Sequence, residues 1–437
     1  MSFRGVFTSA AHRFLSITYA ECGRVARYNL IKVGIYSEYH RLQDEAMEHT
    51  APYPAHRFQG RGIVTCAGGP RFFTCAWVLV RVLRDVVKTD LPIQVWHRGA
   101  AEIDPLMRAL LERHNVEVVD ACAIASTHPP SHRWALKPFA ILHSGFREVL
   151  FLDADNVPVV DPAWLLDAAP YRETGAIFWP DLKPVPAESP IWEICRVPYR
   201  EEPSFESGQM VLDKERCWKA LLLTMHLNEH AGFYYQYVNG DKDTFHMAWR
   251  FLNQSYSMVP YPPQQMAGAH RDTLFFYIGI ALGQRDFDGR MILQHRNWPK
   301  FILYGKNPQY PGFAHEKECF EFLDELAMLW DGRVSTLELR PPENYQSAAG
   351  ARWFRYVRVS DHERMLEFLP DQRIGYGSSD QERMWRVIPQ GATSVLEILG
   401  DMSVTCRLSR HDDGVWRGNW QRYERNPVEL IPWEDPS

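Results

Sequence analysis

The sequence predicts an α/β fold built on a parallel, doubly wound sheet, followed by a small antiparallel β-domain. From Gly62 onward, short apolar runs typical of strands alternate with amphipathic segments typical of helices. The chain has 437 residues, 46% of them hydrophobic, which is enough to bury a large core. In the last 65 or so residues, apolar and polar residues alternate between Gly and Asp turns, as they do in antiparallel strands.

The same patterns predict four parts along the chain. Residues 1–55 have a helical rhythm and form a helical lead-in, which the segment APYPAH brings to an end. Residues 56–315 form the α/β domain, residues 316–369 a helix and linker, and residues 370–437 the small β-domain. The stretch 180–205 is rich in Pro and Glu and is interpreted as a surface loop.

Composition excludes some classes of protein. The net charge of −6 offers no basic surplus, so nucleic acid is not expected as a partner. Apolar runs such as FFYIGIAL are much shorter than the ~18 residues that span a bilayer, and the first residues lack the apolar core of a signal peptide. The eight cysteines are scattered without a CxxC pair, as is typical of reduced thiols. We therefore expect a cytoplasmic protein without an integral membrane segment, with peripheral membrane attachment as the alternative.

The first strand of the α/β region, GIVTC, is followed by the small-residue turn Ala67-Gly68-Gly69. Glycines in this position let a ligand approach the backbone, and the N-terminus of the next helix favours phosphate or ribose. The turn does not have the GxGxxG pattern of nicotinamide-binding Rossmann domains. An ordinary strand-to-helix turn would show the same residues, so this feature alone decides nothing.

A later apolar strand, EVLFL, runs directly into Asp153-Ala154-Asp155-Asn156. Ligands of open α/β sheets bind beyond the carboxyl ends of the strands, which is where this strand places the two acids. Two carboxylates one residue apart can hold one hard cation, which in turn clamps a diphosphate. Chance placement of an acid pair on a solvated turn is the alternative, although acids next to a buried strand are costly without a purpose.

The segment QHRNWPK places His295, Arg296 and Lys300 beyond the last apolar run of the α/β region. The imidazole would complete a metal shell, and Lys300 or Arg296 would meet phosphate oxygens. A solvated basic turn is the alternative. The segment HLNEH at 226–230 fits the HxxEH pattern of some zinc peptidases, but three fixed positions occur easily by chance, and a helix end facing solvent is the favoured interpretation.

Five blocks of the sequence together resemble the fungal-type α-1,3-mannosyltransferase family. In order, they are GRGIVTCAGG, LKPFAILHSGFREVLFLDADNVPVVDP, TGAIFWPDL, ESGQMVLDKERCWKALLL and GDKDTFHMAW. The resemblance covers about residues 58–305. More distantly, the sequence is similar to the glycogenin and lipopolysaccharide-galactosyltransferase family. Both resemblances imply the GT-A fold and a glycosyltransferase that retains the anomeric configuration, with Mn²⁺ or Mg²⁺ as its cation.

The resemblance also implies roles for individual residues. Asp153 and Asp155 match the metal-binding DxD pair, and His295 matches the metal-binding histidine of the more distant family. Catalytic roles near the sugar and the acceptor are implied for Asp241, Asp243, Glu206 and Gln209. Donor binding is expected of Thr65, Ala67, Gly68, Gly69, Lys137, Ala154, Ser207, Gly208 and Lys300, together with the acid pair. A helix-terminal charge at Lys137 and capping carboxylates at the 241/243 pair are the alternatives.

The resulting hypothesis is a retaining, metal-dependent transferase that moves a hexose, mannose from GDP-mannose, to a hydroxyl of a glycan or glycolipid. A transferase that uses a UDP-hexose is one alternative. A non-catalytic carbohydrate-binding protein is another, but a relic would be free to lose Asp153, Asp155 and Asp243. The sequence shows no N-terminal anchor like that of the fungal proteins, and its β-domain lies outside the resemblance. The acceptor is therefore not implied.

Overall fold

A computed structural model of the chain describes residues 35–100, 102–124, 133–271, 276–298, 300–303, 307–330, 332, 334, 349, 352–358, 362–378, 382–390, 393–400, 404–420 and 427–433. The strands before residue 300 are β1 (Arg61–Cys66), β2 (Ile93–His97), β3 (Val116–Asp120), β4 (Glu148–Leu152), β5 (Asn156–Pro158), β6 (Ala176–Pro180), β7 (Phe205–Asp213), β8 (Ser257–Met258), β9 (Gln264–Arg271), β10 (Phe276–Arg285) and β11 (Met291–Trp298).

The helices are α1 (residues 35–48), α2 (Gly69–Arg81), α3 (Pro105–Glu112), α4 (Ala121–Ile124), α5 (Leu136–His143), α6 (Ala169–Thr174), α7 (Ile191–Ile194), α8 (Lys214–Glu229), α9 (Ala231–Tyr234), α10 (Asp241–Phe251) and α11 (Glu316–Leu329). Short 3₁₀ turns lie at Ala55–Arg57, Arg133–Ala135 and Pro162–Asp167, and α2 continues into a π-helical turn at Val82–Val86. The predicted helical lead-in is present over residues 35–48, and its earlier part lies outside the described residues.

The main sheet has seven strands in the order β3-β2-β1-β4-β7-β6-β8. Strands β1 to β4 are mutually parallel, but β7 pairs antiparallel with both β4 and β6. The α/β prediction is confirmed, whereas the expectation of a wholly parallel sheet is wrong. Since β7 returns beside β4 in the opposite direction, its first residues lie next to the carboxyl end of β4.

Side chains alternate between the two faces of this sheet, so each strand feeds two cores. Ile63 and Leu150 pack with α2, α3 and α11 on one face. Val64 and Phe151 pack with α5, α8 and α10 on the other. The packing of helices on both faces keeps the sheet rigid and leaves its carboxyl edge for ligands.

A second sheet of four strands has the order β5-β11-β10-β9. It contacts the main sheet through the short connection between β4 and β5, which contains Asp153 and Asp155. Strand β11 pairs antiparallel with β5, and His295 is the register partner of Asn156. This pairing brings a distant part of the chain to the end of β4.

The prediction that residues 180–205 form a surface loop is partly wrong. It contains α7 and buries the side chains of Ile191, Trp192 and Ile194 in the core beneath α8 and α10. The high Pro and Glu content of the stretch suggested a solvated loop, although the stretch also contains these apolar residues. The loop is therefore anchored at its centre and solvated at its ends.

A third sheet, antiparallel throughout, comprises β12 (Trp353–Arg358), β13 (His362–Glu367), β14 (Met384–Gln390), β15 (Thr393–Leu399), β16 (Val404–Arg410), β17 (Trp416–Trp420) and β18 (Pro427–Trp433). Its strands follow the order β13-β12-β18-β17-β16-β15-β14 and enclose a core that includes Phe354, Trp385 and Trp416. The predicted antiparallel β-region is confirmed. Its first two strands, however, lie before residue 370, in the segment interpreted as a linker. The division of the chain into domains stays a prediction.

Candidate active site at the carboxyl edge of the main sheet

A cavity of about 400 Å³ opens at the carboxyl ends of β1, β2 and β4. Its walls combine carboxylates, ammonium and guanidinium groups, aromatic rings and exposed backbone. The lining residues are Cys66, Ala67, Gly68, Arg71, Phe72, Arg98, Glu102, Trp134, Leu136, Lys137, Asp153, Ala154, Asp155, Ser207, Asn239, Asp241, Lys242 and Lys300. The cavity therefore contains the predicted small-residue turn, the acid pair and both predicted lysines.

The acid pair lies where the backbone leaves β4. The Asp153 amide donates to the Gly208 carbonyl at 2.7 Å, and the Asn156 side-chain amide donates to the same oxygen at 2.6 Å. These two bonds hold the turn against β7. One ligand atom each from Asp153, Asp155 and His295 lies within 4.8 Å of the others, and among the described residues this is the one group of three such side chains that could hold a metal ion.

Asp155 is held by two cations. His295 Nε2 lies 3.1 Å from Asp155 Oδ2, and the Lys300 ammonium donates to the same oxygen. Burial would raise the pKa of Asp155, but Lys300 and His295 hold that pKa well below its usual range. Burial would likewise lower the pKa of His295, but Asp155 and Glu206 raise it to about 10. Asp155 is therefore a carboxylate, and its negative charge is matched by two positive groups.

Lys137, on α5, bridges the other acids of the site. Its Nζ atom lies 3.1 Å from Asp153 Oδ1 and 3.0 Å from Asp241 Oδ2, and it donates to the Ser207 carbonyl and hydroxyl oxygens at 2.9 Å each. Burial would lower the pKa of Lys137, but Asp153 and Asp241 raise it above its usual range. The Ser207 hydroxyl donates to Asp241 Oδ2 at 2.9 Å. Lys137 thus lies in the first turn of α5, as the helix-terminal alternative has it, but its ammonium contacts the acids of the cavity; its role in donor binding stays a prediction.

Behind the cavity wall, Glu206 and Gly208 position His295. Glu206 Oε1 accepts from the Gly208 amide at 2.8 Å and lies 3.6 Å from His295 Nδ1. A Cβ atom at Gly208 would lie 2.6 Å from His295 Nδ1, so only glycine leaves room for the ring. Burial would raise the pKa of Glu206, but His295 lowers it to about 2.

The predicted sugar-site residues are only partly in the cavity wall. Ser207 and Asp241 line the cavity, whereas Glu206, Gly208 and Gln209 lie beneath it. Gln209 is fully buried, and neither atom of its amide has a hydrogen-bond partner among the described residues. The roles assigned to these residues stay predictions.

Asp243 is also set back from the cavity. Its carboxylate accepts from the Asn239 amide at 3.0 Å and from the Lys242 ammonium at 2.7 Å. Lys242 lies 2.9 Å from Asp181 Oδ2 as well and lines the cavity. Asp243 therefore accepts from a backbone amide just before α10 and contacts the cavity wall through Lys242, and its catalytic role stays a prediction.

Thr65 and Gly69 lie next to the cavity rather than in its wall. Thr65 is buried within β1, and the Gly69 amide donates to the Glu102 carbonyl at 2.8 Å. Ala67 and Gly68 do line the cavity, so the turn contributes two of its four predicted binding residues directly.

The sequence interpretation missed nine lining residues. They are Cys66, Arg71, Phe72, Arg98, Glu102, Trp134, Leu136, Asn239 and Lys242. A signal was present for Arg98 and Glu102, because they follow β2, a parallel neighbour of β1 whose carboxyl end meets the same edge. Trp134 lies in a short 3₁₀ turn and Asn239 in the bend before α10, and the sequence pattern predicts the position of neither.

The structure argues against two further candidates from the sequence. Arg296, considered as a phosphate ligand, is fully buried, donates to the Pro308 carbonyl at 2.6 Å and packs over the Phe301 and Tyr310 rings. In the HxxEH segment, the His226 and His230 rings lie 4.5 Å apart, but no third metal-binding group joins them among the described residues. The described residues therefore contain no zinc site of the kind that the peptidase alternative requires.

The mixed α/β sheet and the cavity at its carboxyl edge agree with the GT-A fold that the sequence resemblance implies. The mannosyltransferase family model Mannosyl_trans3 matches residues 60–196 and 196–286, and the chain belongs to this family. The α-1,2-mannosyltransferase MNN5 of Saccharomyces cerevisiae is 26% identical over 366 residues, covering 69% of this chain and 60% of the relative. MNN2 of the same yeast, also named an α-1,2-mannosyltransferase, is 24% identical over 296 residues, covering 55% and 48%.

The chain thus spans about 60% or less of the length of these curated relatives. Among solved structures, the galactosyltransferase LgtC with donor and acceptor analogs has a TM-score of 0.40 at 12% identity, covering 61% of this chain and 100% of that one. The mannosyltransferase Ktr4p of S. cerevisiae in complex with GDP has a TM-score of 0.31 at 11% identity, covering 50% and 75%. These scores are too low to assign a ligand.

These relatives correct two expectations. The mannosyltransferase resemblance is confirmed, but the curated relatives are named α-1,2- rather than α-1,3-mannosyltransferases. The expectation of a cytoplasmic protein is wrong, because MNN5 and MNN2 are lumenal Golgi enzymes. Scattered cysteines and short apolar runs do not identify a compartment. Within the described residues, no helix is both long and apolar enough to cross a membrane.

Proposed function

We propose that this protein transfers mannose from GDP-mannose to a hydroxyl of a glycan, with a divalent cation bound by Asp153, Asp155 and His295. The observation that carries this proposal is the convergence of those three side chains with Lys137 and Lys300 in one cavity, in a chain of a mannosyltransferase family. Negative groups that bind a cation and positive groups that bind phosphate are the two requirements of a nucleotide-diphosphosugar site.

The residues present suit a hard divalent cation. Two carboxylates and one imidazole favour Mn²⁺ or Mg²⁺ over zinc, because no thiolate is offered. Gly208 leaves the space that the His295 ring fills, so the third ligand is built into the fold. When bound there, such a cation would neutralise charge on the departing nucleoside diphosphate.

The protein's own groups would orient the donor. Lys137 is fixed by four hydrogen bonds or ion pairs, and Lys300 reaches the cavity from the segment after β11. The positive charges of both ammonium groups would attract the phosphates of the donor. The small residues Ala67 and Gly68 let the nucleotide approach the backbone of the β1–α2 turn.

Each carboxylate in the cavity wall has a positive partner. Asp153 and Asp241 contact Lys137, Asp155 contacts His295 and Lys300, and Glu102 contacts Arg98. A carboxylate held in this way is a weaker nucleophile than a free one. We therefore favour a front-face route, in which the acceptor enters on the side that the leaving group vacates and the configuration is retained.

The curated relatives suggest the α-1,2 linkage for the product. The test of the proposal is a nucleotide-sugar panel. GDP-mannose, UDP-galactose and UDP-glucose are each incubated with the protein and Mn²⁺, and donor hydrolysis is followed with and without EDTA. Hydrolysis of GDP-mannose alone, abolished by EDTA, is expected. Faster turnover of a UDP-hexose would contradict the assignment of GDP-mannose as the donor. Turnover that EDTA does not affect would contradict the metal dependence.

If hydrolysis is seen, α-mannose oligosaccharides are added as acceptors and the product is digested with an α-1,2-specific mannosidase. Release of the added mannose is expected. A resistant product would overturn the linkage while leaving the transferase assignment intact.

A further inference from the structure

We propose that Glu102, positioned by Arg98, selects the base of the nucleotide donor by accepting a hydrogen bond from the 2-amino group of guanine. This inference rests on the proposed use of a guanine nucleotide donor. It assigns the specificity for that base to residues outside the metal-binding group.

Glu102 lines the cavity at the end of β2. The Arg98 guanidinium donates to Glu102 Oε1 from Nε at 3.0 Å and from Nη2 at 2.7 Å, and the Arg98 amide donates to Oε2 at 2.8 Å. The Glu102 side chain is 11% exposed. Three bonds and near-complete burial hold the carboxylate in one orientation, so its position is set before a ligand arrives.

The location suits the base of a nucleotide. In the main sheet, β1 lies between β2 and β4, so the end of β2 is two strand spacings, roughly 10 Å, from the end of β4. The acid pair follows β4, and Glu102 follows β2, in the wall of the same cavity. A nucleotide with its diphosphate beside Asp155 therefore has room to extend its base towards Glu102.

The chemistry of the pair separates guanine from uracil. A carboxylate has about four acceptor positions. Arg98 occupies both positions of Glu102 Oε1 and one position of Oε2, so Oε2 can accept one further hydrogen bond. Guanine carries an exocyclic 2-amino donor, whereas the exocyclic groups of uracil are two carbonyl oxygens, which a carboxylate repels. A site built to accept hydrogen bonds rejects an analogue that lacks the donor, because its buried acceptor is then left unpaired.

Gly68 provides an independent check on this geometry. A Cβ atom added at Gly68 would overlap the Glu102 carboxylate. Since Gly68 has an extended backbone with a φ of −161°, alanine is tolerated there by the backbone itself. The Gly68→Ala substitution therefore displaces the carboxylate without changing its charge.

The test compares three nucleotides: GDP, inosine diphosphate, which lacks only the 2-amino group, and UDP. Dissociation constants are measured by calorimetry in Mn²⁺ for wild type, Glu102→Gln, Gly68→Ala and the surface control Glu112→Gln, whose native carboxylate is 49% exposed. Far-UV circular dichroism and the melting temperature show that each variant is folded. Wild type and Glu112→Gln are expected to bind GDP at least about tenfold more tightly than inosine diphosphate. Glu102→Gln and Gly68→Ala should lose most of this ratio.

Each outcome has a distinct meaning. If wild type prefers GDP but folded Glu102→Gln and Gly68→Ala keep the ratio, the assignment of Glu102 is wrong and the proposed function stands. If wild type binds GDP and inosine diphosphate equally well, and both more tightly than UDP, the role of Glu102 is again wrong, but the proposed function stands. Tighter binding of UDP than of GDP overturns the proposed donor, and the inference with it.

Discussion

The Nε2 atom of His295 lies 3.1 Å from Oδ2 of Asp155, although the two residues belong to different parts of the chain. The contact exists because β11 pairs with β5 immediately after the acid pair, and the Arg296 amide donates to the Asp155 carbonyl at 2.9 Å. Backbone hydrogen bonds of the second sheet therefore fix the third candidate metal ligand. A rigid arrangement of this kind favours cation binding, because little ordering remains to be done.

The buried charge on Lys137 should matter for stability as well as for activity. Replacing it in Lys137→Met leaves Asp153 and Asp241 without their shared cation, which should lower the free energy of unfolding by about 3 kcal/mol in EDTA. Mn²⁺ should restore part of the loss, since a cation that binds only the native state stabilises it. Urea denaturation with and without Mn²⁺ measures both effects. The control Lys317→Met removes an 86% exposed ammonium and should change little; a loss as large there would contradict this explanation.

Space around Gly208 should control the metal site. In Gly208→Ala, the new Cβ atom would lie 2.6 Å from His295 Nδ1 and 2.7 Å from Glu206 Oε1, so the imidazole must shift. We expect the Mn²⁺ dissociation constant to rise by about tenfold or more, as for other disturbances around a metal ligand. The matched control is Gly232→Ala, where a Cβ atom meets nothing within 4 Å. Equal Mn²⁺ affinity in the two variants would show that His295 does not bind the cation.

Lys300 should act in opposite directions on the cation and on the nucleotide. Its ammonium donates to Asp155, the same carboxylate proposed to hold the metal. In Lys300→Gln, Mn²⁺ should bind more tightly in the absence of nucleotide, because a competing positive charge has gone. GDP in saturating Mn²⁺ should bind several-fold more weakly, because one phosphate contact is lost. If the affinities for Mn²⁺ and for GDP change in the same direction, Lys300 does not move from Asp155 to a phosphate when the nucleotide binds.

The α/β architecture and half of the residues that line the cavity could be predicted from the sequence, because local patterns carry them. The apolar run before Asp153 and the small residues at 67–69 mark strand ends, and strand ends of a parallel sheet share one edge. The antiparallel pairing of β7 and the burial of α7 depend on tertiary packing, which the spacing of apolar residues along the sequence does not reveal. Arg296 shows the limit most clearly, since its position next to His295 suggested a ligand, while the fold turns its side chain into an aromatic core.

The third sheet should fold separately from the α/β part. We predict that a protein ending near residue 350 stays monodisperse and retains Mn²⁺-dependent hydrolysis of GDP-mannose. A protein ending near residue 365 should aggregate instead, because it retains β12 but loses most of its partner strands, including β18. Size-exclusion chromatography of the two proteins distinguishes the cases. Aggregation of the shorter protein as well would show that the third sheet covers part of the α/β core.

The most direct test of the proposed metal site is donor hydrolysis measured against Mn²⁺ concentration for wild type and Asp155→Asn. Asparagine keeps the shape of the side chain but removes the charge that holds the cation. Two controls accompany it: Asp288→Asn, whose native carboxylate is 74% exposed, and His230→Ala in the HxxEH segment. We predict that turnover of GDP-mannose falls by orders of magnitude in folded Asp155→Asn, falls less in His295→Ala because water can replace an imidazole ligand, and is unchanged in both controls. Near-normal, Mn²⁺-dependent turnover in Asp155→Asn would contradict the account.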